Sequence, residues 1–303
     1  MSSYTRTIHL EDPKREYPQK LCYLCGSKDF SKVEGNLRDS DSLYVLECNI
    51  CGLKALNNFD HINDGFYEDS KMLDTSYQDD IVSWSKIGND DAKRRARSFR
   101  QDIINKDILD FGCGTGDFIK YAKEYATSVS ALEIDRTLLR RIKEEGITAF
   151  SSLEEIEENM KFDVIFLFHV LEHIKDPASL LKTLSSYLTK DGKIILEVPN
   201  SDDALISLYN CDEYKNFYYW KCHLYYFNSY TLKKVINKSA LMVDFIKQIQ
   251  RYPLSNHLYW LRQGEPRGHH IYNFLDSDNL KNEYEKQLAS IEKCDTIIAR
   301  ISR

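Results

Sequence analysis

The sequence predicts an α/β chain in which a Rossmann-like sheet follows a small N-terminal zinc ribbon. Residues 108–111 form an apolar run that ends in Gly112-Cys113-Gly114-Thr115-Gly116, and a second apolar run ends about twenty residues later in Glu133. The order strand (108–111), helix (117–125), strand (129–134), helix (137–145) is the one a βαβ unit requires. Ahead of this unit stand two Cys-x-x-Cys-Gly segments, at Cys22–Cys25 and Cys48–Cys51, with metal-knuckle spacing. The predicted organisation is therefore a zinc-ribbon segment over 1–60, a connecting segment over 61–100 and the α/β domain over 101–303.

Taken in order, the ribbon comes first. Four of the eight cysteines lie in the two knuckles, and the glycine after each second cysteine permits a turn that directs backbone N–H groups at the sulfurs. Two disulfides would also use four cysteines. The opening stretch MSSYTRTIHLEDPKREYP, however, lacks the apolar run of an export signal, which predicts a reducing, cytoplasmic setting and favours zinc. A redox Cys-x-x-Cys would need one pair rather than two. Four thiolates at Cys22, Cys25, Cys48 and Cys51 fill a tetrahedral shell, so the metal is structural. Cys113, Cys211, Cys222 and Cys294 have no such spacing and read as packed or loop thiols.

The connecting segment turns helical and basic at Asp90-Asp91-Ala92-Lys93-Arg94-Arg95-Ala96-Arg97. Such a run is a solvated helix face, or else Tyr67, Trp84, Arg94 or Arg95 closes over a cofactor. At the glycine turn two ligands compete. A pyrophosphate would be repelled by Asp110 and Asp117 on either side of the loop, whereas a cationic ligand suits them. Glu133, at the tip of the second strand, is placed to accept hydrogen bonds from both ribose hydroxyls.

Leu109-Asp110-Phe111-Gly112-Cys113-Gly114-Thr115-Gly116-Asp117-Phe118 resembles the first motif of the class I S-adenosylmethionine-dependent methyltransferases. The resemblance continues through Phe162-Asp163-Val164-Ile165-Phe166-Leu167-Phe168-His169, similar to that family's fourth strand and turn, and Gly192-Lys193-Ile194-Ile195-Leu196-Glu197-Val198-Pro199, similar to its fifth. It implies a seven-stranded Rossmann-like sheet and S-adenosylmethionine as cofactor. It also implies that Asp110, Gly112, Cys113, Gly114, Gly116, Glu133, Ile134, Ser152, Phe168 and His169 surround that cofactor.

After the fourth strand the chain reads His169-Val170-Leu171-Glu172-His173, which matches the HxxEH pattern of inverted zinc proteases. Those enzymes need the residues in mid-helix; here they follow a strand directly and precede Asp176-Pro177, a helix start. Some RNA and quinone methyltransferases carry ExxEH at this turn for magnesium, but His169 replaces the first glutamate and removes a hard oxygen ligand. Phe168 and His169 then line the cofactor while Glu172 and His173 hold the turn, or one histidine faces the substrate.

Beyond the fifth strand the sequence predicts a helix over 230–238 capped by Asn228 or Ser229, a strand over 242–249, a helix over 278–293 and a closing antiparallel strand over 295–301. Segment 250–274 is an insertion, expected as a substrate lid at the rim of the sheet. Three arginines and three histidines alternate there with Tyr252, Tyr259, Trp260 and Tyr272. Guanidinium groups recognise phosphate and aromatic faces stack on bases or sugars, so Arg251, Tyr252, His257, Tyr259, Arg262 and Arg267 are the candidate substrate contacts; a structural lid is the other reading.

A cysteine ribbon ahead of this core is similar to the deoxysugar C-methyltransferases and related enzymes of polysaccharide gene clusters. Their YHEH-like segment, whose tyrosine and last histidine serve as base, corresponds to Trp220-Lys221-Cys222-His223. The histidine is kept and the tyrosine is not, so oxygen or nitrogen methylation is expected over carbon methylation. His223 is the first candidate for general base, His169 and His173 the second, with His257 behind them. A net charge of −6 argues against nucleic acid, and no apolar run is long enough to span a membrane. The expected partner is a small molecule, a phosphorylated or nucleotide-linked sugar. The alternatives are a zinc-ribbon interaction or sensor protein that binds S-adenosylmethionine, and a methyltransferase for RNA or protein.

Overall fold

The structure, a computed structural model, describes residues 21–63, 65–68 and 81–303, with the backbone alone over 81–88. The side chain of Trp84 and the opening stretch 1–20 lie outside the described residues. In chain order come β1 (Phe30–Lys32), β2 (Val45–Cys48), β3 (Lys54–Leu56), α1 (Ile81–Ser98), α2 (Arg100–Ile103), β4 (Asp107–Phe111), α3 (Asp117–Ala122), β5 (Ser128–Leu132), α4 (Arg136–Glu144), β6 (Thr148–Phe150) and β7 (Phe162–Phe168). They are followed by α5 (Pro177–Ser185), β8 (Leu188–Pro199), α6 (Ala204–Ser207), α7 (Asp212–Tyr218), β9 (Tyr225–Tyr226), α8 (Ser229–Lys238), β10 (Met242–Ile249), α9 (Leu254–Gln263), α10 (Gly268–Ile271), α11 (Asp278–Ser290) and β11 (Thr296–Ser302). Among the described residues, no helix is long and apolar enough to cross a membrane.

Seven strands form one sheet in the order β10-β11-β8-β7-β4-β5-β6. The pairs among β4 to β8 are parallel, and β11 runs antiparallel to both β8 and β10. Val164-Ile165-Phe166-Leu167-Phe168 is apolar on both faces because helices cover both sides of a parallel sheet. The strand order reverses between β4 and β7, which opens a crevice at their carboxyl ends. Helix starts follow local chemistry: Asp135 caps α4, Asp176 caps α5 with proline in its first turn, and Asn228 caps α8 in a reciprocal box with Thr231. Helix α11 stops at Ser290 rather than 293, because Glu292 adopts φ 56° and the Lys293 N–H turns back to the Leu288 carbonyl at 2.9 Å.

The ribbon does not stand apart from this sheet. Strands β1, β2 and β3 form an antiparallel meander, and β9 joins it as a fourth strand through Lys54↔Tyr226 and Ala55↔Tyr225. Leu53, Leu56 and Phe59 pack in one apolar cluster with Tyr219, Tyr225 and Phe227. The Arg38 N–H donates to the Tyr219 carbonyl at 3.0 Å, its guanidinium lies 4.2 Å from the Trp220 ring centre, and the Leu56 N–H donates to the Leu224 carbonyl at 3.0 Å. Segment 219–227 thus belongs to the ribbon and to the α/β domain together.

The cysteine sulfurs fit a zinc ion. Cys22 Sγ is 3.4 Å from Cys51 Sγ, Cys25 Sγ is 3.4 Å from Cys48 Sγ, and all four sulfurs lie within 4.8 Å of one another. Around a tetrahedral zinc with Zn–S near 2.3 Å the sulfurs sit about 3.8 Å apart. Gly26 and Gly52, with φ 72° and 73°, close the knuckles by donating N–H groups to the Cys22 and Cys48 carbonyls at 2.9 and 2.8 Å. A thiol-directed mercurial is expected to release about one zinc per chain. Cys48→Ser should lower the melting temperature sharply, since structural zinc contributes on the order of 10 kcal/mol to units of this kind. A chain whose four cysteines release no zinc, in protein purified without chelator, would show that the ribbon is held by packing alone.

Candidate active site

The crevice at the strand switch point is built by the loop after β4. Gly112, Gly114 and Gly116 adopt φ 72°, 56° and 72°, backbone that side chains rarely tolerate. A Cβ on Gly112 would approach Val170 Cγ2 to 2.6 Å, so this glycine lets the loop lie against the turn after β7. A Cβ on Gly114 would meet no protein atom within 4 Å, which leaves that side of the loop facing open space.

Glu133, just past β5, is buried, with Oε2 accepting from the Gly114 N–H at 2.7 Å and Oε1 from the Asp135 N–H at 2.9 Å. Its carboxylate therefore shapes the glycine loop, and each oxygen keeps a further lone pair for a ligand. Asp110 is buried at the end of β4; burial pushes its carboxyl up to about 7, with Glu133 adding to the rise and Arg95 opposing it. Burial likewise pushes the Cys113 thiol up. Ile134 and Ser152 stand half-buried at the ends of β5 and β6. Phe168 closes the end of β7, stacked on Phe166 at 5.4 Å with the Arg95 guanidinium 4.4 Å from its ring centre. Carboxylates, glycine backbone and an aromatic face suit a ligand carrying both positive charge and a ribose.

The turn after β7 carries the histidines. His169 has φ 57°, a backbone state uncommon for its residue type, and donates its N–H to the Glu197 carbonyl at 2.8 Å. Its Nε2 stands 3.2 Å from Glu197 Oε1 and 3.1 Å from Arg251 Nη1. Glu197, fully buried in β8, accepts from Arg94 at 2.8 Å and from Arg95 at 2.6 Å. Burial alone would raise its carboxyl, but Arg95, His169 and Arg94 hold it well below the usual range. Arg94 and Arg95 thus fasten α1 over the strand ends, and Asp91 on the same helix pairs with Arg251.

Glu172 is 1% exposed, and neither of its side-chain oxygens has a hydrogen-bond partner among the described residues. Its carbonyl accepts the Leu224 N–H at 2.8 Å, which pins the His223 loop to this turn. His173 Nδ1–H donates to the Cys222 carbonyl at 2.7 Å, and the edge of Tyr67 covers the same ring at 5.8 Å. The His173 and His223 rings lie 4.9 Å apart, and His223 Nδ1 is buried without a partner among the described residues. Burial lowers His173, and holds His223 well below the ordinary histidine range. The sequence suggested a base titrating near neutrality; His223 is instead a neutral imidazole whose charged form is disfavoured by its apolar surroundings.

The insertion after β10 folds as α9 and α10 packed on each other, with Gly268 so close to Tyr259 that a Cβ would approach its Cβ to 2.1 Å. A cleft of about 440 Å³ opens between this pair and α1, lined by Asp91, Arg94, Arg251, Tyr252, His269 and Lys281 among others. Of the residues expected to contact substrate, Arg251 and Tyr252 line it. Arg262 and Arg267 are exposed and do not, while Tyr259 packs edge-on against Tyr272 at 5.5 Å. His257 is corrected most clearly: it is 1% exposed, hydrogen-bonded to Tyr284 Oη at 2.7 Å and 3.1 Å from Gln250 Nε2, and so faces protein. Sequence reading passed over Asp91, Glu172 and Glu197 as site residues. A carboxylate inside the otherwise apolar strand β8 was the available signal for Glu197.

Comparison with known proteins sharpens this picture. A model of the methyltransferase domain matches residues 89–287, from α1 into α11. The chain belongs to this methyltransferase-domain family. The ubiquinone biosynthesis O-methyltransferase of Xanthomonas oryzae is 25% identical over 120 residues, covering 37% of this chain and 50% of that protein. The tRNA U34 carboxymethyltransferase of Campylobacter jejuni is 27% identical over 117 residues, covering 35% of this chain and 40% of that protein. The chain thus spans half or less of the length of these curated relatives. A solved S-adenosylmethionine-dependent methyltransferase from Archaeoglobus fulgidus shares the fold, with a TM-score of 0.50 at 18% identity over 71% of this chain and 94% of that one.

Asp110 offers a direct test of the site's electrostatics. Its folded-state pKa, about 7 against an ordinary 3.8, makes the folded chain the stronger proton binder, so its penalty to stability grows from about pH 4 to pH 7 and then stays constant. Asp110→Asn should therefore raise the melting temperature of the ligand-free protein at pH 8.5, with a gain that shrinks toward pH 5.5. A gain independent of pH would mean that the folded-state pKa of Asp110 is not raised.

Proposed function

We propose that the protein is an S-adenosylmethionine-dependent methyltransferase that methylates an oxygen or nitrogen of a hydroxyl-rich small molecule, a sugar or nucleotide-linked sugar. The observation that carries the cofactor assignment is the Glu133 carboxylate seated on the Gly114 N–H beside the buried Asp110. The lone pairs left on Glu133 accept the ribose hydroxyls, and Asp110 offers negative charge toward the cofactor's cationic end. When bound, the cofactor supplies an electrophilic sulfonium methyl group. Phe168 and the fastened α1 keep water from that region, and the acceptor must be held near 3 Å with its lone pair freed.

The acceptor's proton leaves at the cluster of Glu172, His173 and His223 on the turn that touches the glycine loop through Val170. The new bond joins acceptor and methyl carbon, the carbon–sulfur bond breaks, and a neutral thioether departs. For the acceptor itself the cleft under the lid is the supporting feature, since about 440 Å³ suits a small molecule. Arg94, Arg251 and Lys281 face Asp90, Asp91 and Asp276 there, a balanced set of donors and acceptors. That lining offers hydrogen bonds of both kinds to a polyhydroxylated acceptor. The name of the tRNA-modifying relative raises an RNA acceptor as a second reading, against which the net charge of −6 counts.

Glu133→Ala should weaken S-adenosylmethionine binding by several tens-fold, as expected when charge-assisted hydrogen bonds to ribose are lost; unchanged affinity in calorimetric titration would remove Glu133 from the site. Transfer of a radiolabelled methyl group should be found on free or nucleotide-linked sugars, in a panel that also holds a catechol and unmodified tRNA. Label on tRNA alone would replace the sugar reading, and label on no acceptor despite cofactor binding would favour a sensor. On a labelled acceptor, His223→Ala should depress turnover by about 10²-fold or more.

A further inference from the structure

Glu172, His173 and His223 leave a problem that the hydrogen bonds of the fold do not resolve. A carboxyl group 1% exposed whose two oxygens accept no hydrogen bond among the described residues is a buried polar group left unsatisfied, a state that binding a cation relieves. Pairing is not what surrounds it. Arg94, Arg95 and Arg251 are committed to Glu197 and Asp91, and His169 Nδ1, 3.4 Å from Glu172 Oε1, lacks hydrogen-bond geometry. Besides His169, the imidazoles of His173 and His223 face Glu172, with one donor atom from each of Glu172, His173 and His223 lying within 4.8 Å of the others.

We propose that Glu172, His173 and His223 bind a divalent transition-metal ion, a site distinct from the four-cysteine ribbon. Three features beyond proximity support it. Donors bound at about 2.1 Å sit roughly 3 to 4 Å apart, within about 1 Å of the spacing here. His173 has its Nδ1–H fixed on the Cys222 carbonyl, which turns Nε2 outward in the way a backbone carbonyl orients a metal-binding histidine. His223 keeps a buried ring nitrogen without a partner among the described residues. Two imidazoles and one carboxylate suit zinc, cobalt or nickel and are poor ligands for magnesium, which demands oxygen.

Three protein ligands leave coordination positions open, as in catalytic rather than closed structural sites. The inference rests on the proposed methyl transfer and deepens it: the ion lowers the pKa of an acceptor hydroxyl, whose proton passes to solvent before the oxygen displaces the thioether. Removal of the acceptor proton then needs no imidazole that titrates near neutrality.

The test uses the full chain as purified, with the ribbon metal in place. Titration with Co²⁺, followed by equilibrium dialysis and metal analysis, should find one cobalt per chain beyond the ribbon's ion. That cobalt should show the weak visible bands of a nitrogen and oxygen site rather than the intense sulfur charge-transfer bands of a displaced ribbon zinc. Millimolar Mg²⁺ should not compete. Glu172→Gln should weaken cobalt binding at least tenfold, with circular dichroism and ribbon metal unchanged; if that variant does not fold, His223→Asn serves instead. No cobalt beyond the ribbon, or wild-type affinity in the folded variant, overturns the site. S-adenosylmethionine binding and methyl transfer measured on the same samples report on the methyltransferase reading separately, because each can fail while cobalt binding holds.

Discussion

Tyr225 and Tyr226 form a strand of two residues that pairs with β3, and their neighbours Cys222 and Leu224 bond to the turn after β7. The ribbon and the α/β sheet meet along this stretch. Tyr225 also sends its hydroxyl to the Lys175 carbonyl at 3.0 Å, and Tyr23 beside the first knuckle donates to Asp176 at 2.6 Å. The knuckles, β9 and the start of α5 therefore lock one another. The loop bearing His223 has the ribbon sheet as one of its walls. The cost of ordering such a loop is met by packing Tyr219, Tyr225 and Phe227 against Leu56 and Phe59 rather than by local hydrogen bonds.

A second constraint is electrostatic. Glu197 sits wholly inside the sheet, and removing a carboxylate from water is costly unless cations and hydrogen bonds compensate it. Arg94 and Arg95 supply that compensation from α1, and Asp91 in turn pairs with Arg251 from the lid. A buried ion network of this type contributes less to net stability than to specificity of docking, because only one placement of α1 and of the lid satisfies every charge. It fixes the roof of the crevice and one wall of the acceptor cleft. His169 Nε2 lies within 3.2 Å of both Glu197 and Arg251, so the network also reaches the turn after β7.

How much of this was legible in the sequence follows from the range of the interactions involved. The glycine loop, the strands and helices beside it and the helix caps were readable because turns, caps and apolar alternation are set by residues a few positions apart. The cysteine knuckles were readable for the same reason. The fourth ribbon strand was not, since pairing of β3 with β9 joins residues separated by most of the core, and a two-residue strand has no periodicity to detect. The lid was misread in part: Arg262 and Arg267 look like phosphate ligands in a list of residue types, but α9 and α10 turn them to the exposed side while burying Trp260 and His257. His257 shows why a histidine in an aromatic stretch is ambiguous, because Tyr284, which satisfies its ring, comes from α11.

The turn after β7 joins the glycine loop, the ion network and the His223 loop. Val170 packs on Gly112 of the cofactor loop, His169 meets the ion network, and Glu172 holds the His223 loop through its carbonyl. His169 pays for this with a left-handed backbone, and strain of that kind persists only where surrounding contacts over-determine it. With glycine at 169 the turn would lose that strain and also the imidazole between Glu172 and Glu197, leaving two buried carboxylates with nothing between them. The side chain of His169 thus stands between the charge network that holds the roof and the buried Glu172 carboxyl, a position glycine could not fill.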